Sequence, residues 1–535
     1  MVDHSGSKEP FPLSETTEIQ ADDQVDSSAS LMVPTVSGAV WGSAQVLVSK
    51  GLQFTGMLVL AWFVSQEELG VASIALSIST FVVLLNPIAL GDYLIQRTPL
   101  AMPAIRSVLV VGCVAGIISG VVVTVAAPQI GAVWASTGVV LPLVILAWKP
   151  LADTLAIVPQ AVLRSQLRFK EIAFIDIVSL ALGTSVSVGL ALAGMGAVSI
   201  VAPLLVTALL RAAAYSSALK GTQSHRDADR NLGSSKWLGP GHQGLVLLLS
   251  AQYVHSIVNI VDWPIVGAFR SASDVGLYYF AWNLSIQGNT VLSSQFGQTL
   301  QPVLVRMRAE PGRQGAAFIR ALRVLGAVAV PVSLMQAALA IPLFHLLFGT
   351  KWDMACLGFM ALSIGQAFAF SIGPVLAVIK AQGRFTLLLS SQLLQLGFTI
   401  AVMTVTAWLT SSTQQSSLAI GLLAIASASQ FVLFCPFLAW LAAKPLGISP
   451  FQIFRVFATP FLAALPIAVG VWVVAGWADT FGPFARAAVC VVSPIVGAAV
   501  YYNTLKWIDT ELCREVLEIT LSVSRTINNR FIRRG

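Results

Sequence analysis

Residues 243–267 read QGLVLLLSAQYVHSIVNIVDWPIVG, an apolar run long enough to cross a bilayer that also carries Gln252, His255, Ser256, Asn259 and Asp262. These positions follow at i, i+3, i+4, i+7 and i+10, which on a helix of about 3.6 residues per turn makes one polar stripe along a greasy rod. An amide or ionisable group in hydrocarbon costs several kcal/mol unless paired or hydrated, so the stripe is expected to face protein or an aqueous cavity. The next run repeats the device: Asn283, Gln287, Thr290, Ser294, Gln298 and Gln301 are spaced four, three, four, four and three apart. Two adjacent polar stripes facing each other predict a wet central space.

The rest of the chain agrees with a membrane setting. Of 535 residues, 56% are hydrophobic and 10% charged, and the mean hydropathy is +0.81, too apolar for a soluble globule. The formal charge of +7 comes from basic residues set singly between apolar runs, a topology bias and not a nucleic-acid patch. The five cysteines, Cys113, Cys356, Cys435, Cys490 and Cys513, show no ligand spacing, and four of them lie in apolar runs. No disulfide framework, metal site or cofactor is expected.

Apolar segments of about 20 residues, enough to cross roughly 30 Å of hydrocarbon, fall at 36–64, 69–94, 105–127, 138–162, 172–193, 197–219, 243–267, 275–301, 318–346, 355–379, 386–409, 416–440, 452–476 and 484–504. The expected fold is an all-α polytopic membrane protein of about 14 transmembrane helices, with two pseudo-symmetric six-helix lobes and two extra C-terminal helices. The divisions are a disordered acidic cytoplasmic tail (1–31), an N-lobe (32–219), a cytoplasmic inter-lobe loop (220–242), a C-lobe (243–440), the last two spans (441–504) and a basic amphipathic tail (505–535). The first tail holds seven acidic residues against Lys8 and lacks the basic start and short apolar core of a signal peptide, so the first span is expected to start insertion.

Charge sets the orientation. Even-numbered connectors hold eighteen basic residues, whereas odd-numbered ones hold only Arg270, Lys351 and Arg486, which places the even connectors and both termini in the cytoplasm.

An internal duplication supports this layout. SQEELGVAS (65–73) after the first span is answered by SASDVGLYY (271–279) after the seventh, each with an acidic residue two before a glycine, at a shift of 206. SQLRFKEI (165–172) and AQGRFTLL (381–388) match at a shift of 216. Six spans per half bring both halves into the membrane in the same sense. Beyond the last span, Ile508, Leu512, Val516, Ile519, Val523 and Ile527 form a stripe followed by Arg525, Arg530, Arg533 and Arg534. The pattern predicts a helix on the anionic inner leaflet, or else one packed on the protein's own loops.

The run VPQAVLRSQLRFKEIAFI (158–175), the Gly194-Met195-Gly196 turn, Leu69-Gly70, Val275-Gly276-Leu277-Tyr278 and Pro445-Leu446-Gly447-Ile448-Ser449 occur in an order that resembles the polysaccharide-biosynthesis flippases. These are the Wzx-like translocases of the multidrug/oligosaccharidyl-lipid/polysaccharide exporter superfamily, and the resemblance covers residues 33–504. It implies two lobes rocking about a central cavity in a bacterial cytoplasmic (inner) membrane. The implied cargo is a polyprenyl-diphosphate-linked oligosaccharide of O-antigen or exopolysaccharide type, and a polysaccharide polymerase or export machinery would be a partner.

Charges at mid-membrane depth are the first candidates for the cavity. Lys50 lies in the first span, Lys149 and Asp153 at i, i+4 in the fourth, and Arg211 in the sixth. A mutually neutralising Lys149–Asp153 pair and a snorkelling or structurally paired Arg211 are the structural alternatives. The expected cavity set is Lys50, Lys149, Asp153, Arg211, Gln252, His255, Asn259, Asp262, Asn283 and Gln287. The cations would meet a diphosphate, and the amides, which both donate and accept, would meet sugar hydroxyls. His255 and Asp262 are candidates for ion coupling. Three other readings stay open: an ion-coupled multidrug exporter of the same superfamily, a lipid-linked peptidoglycan-precursor flippase, and a membrane polymerase or glycosyltransferase. Short odd-numbered connectors without a catalytic carboxylate pair argue against the enzyme, and no nucleotide-binding glycine loop is present.

Overall fold

The structure is a computed structural model that describes residues 45–46, 48–82, 102–133, 137–166, 168–220, 242–288, 300 and 303–515. The tail 1–31, residues 221–241 of the inter-lobe loop, Thr290, Ser294, Gln298 and Gln301 of the second stripe, and residues 516–535 lie outside them.

Every regular element among the described residues is helical. The first half comprises α1 (48–63), α2 (Gln66–Val82), α3 (Met102–Val133), α4 (Val140–Ala147), α5 (Lys149–Ser165), α6 (Phe169–Leu192) and α7 (Val198–Lys220). The second comprises α8 (His242–Val258), α9 (Asp262–Phe269), α10 (Ala272–Ser285), α11 (Pro311–Ala338), α12 (Ala340–Phe348), α13 (Cys356–Ala369), α14 (Ile372–Ala381), α15 (Phe385–Thr410) and α16 (Ser416–Ala443). Helices α17 (Pro450–Ala478) and α18 (Pro483–Ile508) follow. Ten segments among the described residues are long and apolar enough to span a bilayer, so the chain is a multi-pass membrane protein. The other four expected spans, 36–64, 69–94, 243–267 and 275–301, are helical over most of their described residues.

The duplicated motif is the pair of caps that start α2 and α10. Ser65 Oγ accepts the Glu68 amide at 3.2 Å while Glu68 Oε2 accepts the Ser65 amide at 2.8 Å. Ser271 Oγ accepts the Asp274 amide at 3.2 Å in the equivalent place. Each cap satisfies donors that a helix start leaves open. Two residues on, Gly70 and Gly276 let the helices touch: a Cβ on Gly70 would lie 1.7 Å from the Ala272 carbonyl oxygen, and one on Gly276 1.8 Å from that of Gln66. Residues 66 and 272, like 70 and 276, differ by the repeat shift, so the contact is reciprocal about a pseudo-two-fold axis. The same small-residue logic joins α13 to α16, where Gly365 faces Ala428 and Gly358 faces Ile420. Apolar surface gains little by meeting apolar surface in lipid, so close backbone approach supplies the packing.

The three basic residues that break the charge asymmetry are all structurally engaged. Arg270 pairs with Asp274 at 2.9 Å, with side chains 6% and 7% exposed, and donates to the Thr410 and Thr413 carbonyls. Lys351 donates to three carbonyls at the end of α1. Arg486 meets Asp479 at 2.6 Å.

Helices α17 and α18 pack on α11, α12 and α16 of the second half. After α18 the chain turns at Asp509, which accepts the Leu512 amide at 3.0 Å and pairs with Arg323 at 2.8 Å. Leu512 and Cys513 are buried against the bundle, and Glu515 pairs with Arg320 at 3.4 Å. Of the two described residues of the C-terminal stripe, Leu512 packs on the protein while Ile508 is exposed, and Arg320 and Arg323 pair with the acidic residues of this turn.

Candidate functional site

A cavity of 300 Å3 lies between the halves. Gln53 of α1, Thr184 and Ser187 of α6, Thr207 of α7, Asn283 of α10 and Gln287 just beyond it set polar groups among aliphatic walls, while Tyr279, Phe280 and Trp352 give it aromatic ones. Small residues make the first-half wall: Gly56 sits against Thr184, and Gly183 against Thr207. Asn283 donates to the Tyr279 carbonyl and Gln287, two residues past the end of α10, to the Asn283 carbonyl, each at 3.1 Å. These bonds use the amide nitrogens. Gln287 Oε1 is buried without a partner among the described residues, an acceptor left for something that enters the cavity. Among the described residues no charged side chain lines the space.

The expected cations separate. Lys50 is half-buried on α1, one turn before Gln53, and makes no hydrogen bond or ion pair with the described residues. Lys149 and Asp153 bind each other, each about one-third exposed, and lie outside the cavity wall. Arg211 meets Asp176 at 3.1 Å. Asp176 also accepts the Tyr215 hydroxyl at 2.7 Å and the Gln45 amide, and Tyr215 accepts from Gln160 at 3.0 Å. Arg211 is thus tied into a network inside the first half.

Among the described residues the two polar stripes do not face each other, contrary to the expectation from sequence. Helix α8 packs on α15, where Gln392 Oε1 lies 3.1 Å from His255 Nδ1. His255 and Asn259 share a second pocket with Gln392, Gln395 and Cys435, inside the second half. Gln252 is half-buried and makes no side-chain hydrogen bond with the described residues. Asp262 is only 2% exposed and does not line the cavity: it accepts the Tyr278 hydroxyl and the Trp263 amide and is bonded to Ser427. Gln430 continues from Ser427 at 3.4 Å and accepts from Gln395 and Thr399 at 3.1 Å. His255 and Asp262 of the first stripe are met by polar groups of α15, α10 and α16 in their own half. Among the described residues, Asn283 and Gln287 of the second stripe reach the cavity between the halves, and those of the first do not.

Sequence reading missed Gln53, Thr184, Ser187, Thr207 and Trp352. Gln53 had a signal, an amide one turn from Lys50 in an apolar span. It also missed an apolar groove of 520 Å3 between α11, α17 and α18, lined by Pro331, Met335, Ile467 and Pro494 among others. Tyr501 also lines the groove, and its buried hydroxyl has no partner among the described residues. Gln336, on the groove wall, donates to the Leu284 and Ser285 carbonyls of α10 at 3.1 and 3.2 Å. Helix α10 therefore stands between groove and cavity.

Residues 59–357 match the profile of a family described as polysaccharide biosynthesis protein. The chain is 25% identical over 344 residues to the succinoglycan biosynthesis transport protein ExoT of Rhizobium meliloti (strain 1021), over 62% of this chain and 68% of that one. It is 20% identical over 367 residues to the lipopolysaccharide biosynthesis protein WzxC of Escherichia coli (strain K12), over 66% and 71%. Its fold is similar to the lipid II flippase MurJ in an inward closed conformation, with a TM-score of 0.64 at 12% identity over 88% of this chain and 99% of that one. It is also similar to an inward-facing multidrug resistance MATE family transporter of the MOP superfamily, with a TM-score of 0.53 at 12% identity over 76% and 99%.

Proposed function

Because the chain belongs to the polysaccharide biosynthesis protein family, we propose that it moves a polyprenyl-diphosphate-linked oligosaccharide, an O-antigen or exopolysaccharide repeat unit, from the inner to the outer leaflet by alternating access. The observation that carries this reading is the uncharged inter-half cavity, with amide and hydroxyl walls, aromatic planes and an unfilled acceptor at Gln287. Amides and hydroxyls both donate and accept, as sugar hydroxyls do. At 300 Å3 the cavity sits at the low end of ligand sites, which run about 300–1,000 Å3. The head group therefore enters only when the lobes part, and the described form is a closed one.

The working units are an N-lobe (32–219) and a C-lobe (243–440), with 441–504 attached to the latter. Basic even-numbered connectors orient both termini to the cytoplasm of a bacterial inner membrane. Lys50 receives the diphosphate a turn from the sugar contacts of Gln53, and the groove behind α10 takes the apolar chain. Asn283 and Gln287 hold the sugar. Lys149, Asp153 and Arg211 serve the N-lobe's own cohesion, and Gln252, His255, Asn259 and Asp262 form a C-lobe track suited to ion coupling. An inside-negative potential assists departure of an anionic head by roughly 2.3 kcal/mol per charge per 100 mV. The product would pass to a polysaccharide polymerase or export machinery at the outer leaflet.

The test is leaflet transfer of a fluorescent lipid-linked oligosaccharide in vesicles holding the full chain. Transfer above empty vesicles, lost in Lys50→Glu at equal protein insertion, supports the reading. Folded, inserted protein that moves none overturns it.

A further inference from the structure

One connector ties three parts of the molecule together. Residues 346–353, the last turn of α12 and the start of its connector to α13, place Lys351 Nζ against the carbonyls of Ala61 at 2.8 Å, Trp62 at 3.1 Å and Val64 at 2.8 Å. The last carbonyls of a helix lack intrahelical partners and form its negative end, so an ammonium there binds by charge and by hydrogen bond. Partial burial lowers the Lys351 pKa from the ordinary lysine value, and the charge of Glu68 opposes that shift. Trp352 Nε1 adds a bond to the Ala61 carbonyl at 3.0 Å, Trp62 Nε1 donates to the Leu347 carbonyl at 2.9 Å, and Gln66 Nε2 donates to the Lys351 carbonyl. The Trp352 ring stacks on Phe280 at 4.0 Å and forms part of the cavity wall. First and second halves are thus sewn together at the end of the molecule where Gly70 meets Gly276.

The other side of this connector is held by the last two helices. His345 Nδ1 lies 2.9 Å from both carboxylate oxygens of Asp479, and His345 Nε2 lies 3.3 Å from Asp353. Asp479 is fixed in the turn between α17 and α18 by Arg486. These helices supply no residue to the cavity wall. They nonetheless grip the segment that closes it.

We infer that residues 346–353 form a strap locking the outer seam between the lobes, and that the α17–α18 hairpin braces this strap through Asp479, His345 and Asp353. The inference takes its direction from the transport reading: opening the cavity outward requires the end of α1 to leave Lys351 and Trp352. The hairpin then has a gating role although it lies outside the duplicated lobes.

The test replaces Thr184 by cysteine in a chain cleared of its five native cysteines and follows its reaction with a membrane-impermeant maleimide applied to the outer face of proteoliposomes. No lipid-linked substrate is needed, so the lock can be present in a chain that moves no oligosaccharide, and absent in one that does. Lys351→Met should raise the labelling rate about tenfold, as expected for loss of charged hydrogen bonds, and Lys351→Arg should restore most of the protection. Asp479→Asn should also raise the rate, with no further gain when combined with Lys351→Met. His345→Gln and Asp353→Asn report the same link if Asp479→Asn fails to fold. Unchanged labelling in folded Lys351→Met overturns the lock, and parental labelling in all three brace variants overturns the brace.

Discussion

Gly70 and Gly276 meet backbone to backbone: a Cβ on the first would lie 3.0 Å from the second's amide nitrogen, and a Cβ on the second 2.9 Å from the first's. The neighbours that such a Cβ would strike are main-chain atoms, which cannot rotate away. Gly70→Ala and Gly276→Ala should each push α2 from α10, at a stability loss of about 1–3 kcal/mol. The same maleimide assay at position 184 should show increased access from the outer face. Parental labelling and an unchanged unfolding temperature would count against the seam.

Lys50 is the one expected cavity cation that has no partner among the described residues. A hydrogen bond to a charged group contributes about 1.5–3 kcal/mol, so Lys50→Gln should slow leaflet transfer about ten- to hundredfold while Lys50→Arg retains much of it. Thermal unfolding of Lys50→Gln should match the parent. Equal transfer rates would remove Lys50 from the cargo path.

Gln287 gives an opposite pairing of stability and function. Its Oε1 already lacks a partner, so Gln287→Leu should leave the unfolding temperature unchanged or raise it. Transfer should fall about fivefold, the worth of one neutral hydrogen bond of about 1 kcal/mol. A parallel loss of stability and transfer would mark a structural role instead.

Arg270 and Asp274 form an ion pair shut away from solvent. Removing either partner leaves the other charge stranded, at about 3–5 kcal/mol. Arg270→Ala should sharply reduce the yield of monodisperse protein in detergent, more than the exposed Arg313→Ala, whose partner Glu310 is also exposed.

Arg323 holds the turn at Asp509, and Cys513 lies four residues beyond. Arg323→Ala should expose Cys513 to alkylation about fivefold faster, the effect of losing about 1 kcal/mol from a partly exposed pair. Unchanged alkylation would show that Leu512 and its apolar neighbours suffice.

Some of this organisation was legible in the residues and some was not. The acidic residue two before a glycine, seen twice at one shift, proved to mark equivalent helix caps and the glycine crossing beyond them, because both capping and close approach need particular side chains. The i, i+4 spacing of Lys149 and Asp153 offered pairing as the alternative to the cavity role expected of them, and the two are paired. The polar stripe from Gln252 to Asp262 was legible as a stripe, but periodicity says only that a face is polar, not which neighbour meets it. Gln392 and Ser427 lie far along the chain, and they meet His255 and Asp262 of that stripe. The clasp on α1 left no trace, since Lys351 binds main-chain oxygens of Ala61, Trp62 and Val64, and a carbonyl carries no residue signature.

The final helical hairpin leans on second-half helices, and most of α18 is left uncovered by the rest of the protein. A tether, fluorophore or surface attachment placed on that hairpin would therefore travel with the C-lobe. Immobilising the molecule by that handle would leave the N-lobe as the moving body in a single-molecule recording.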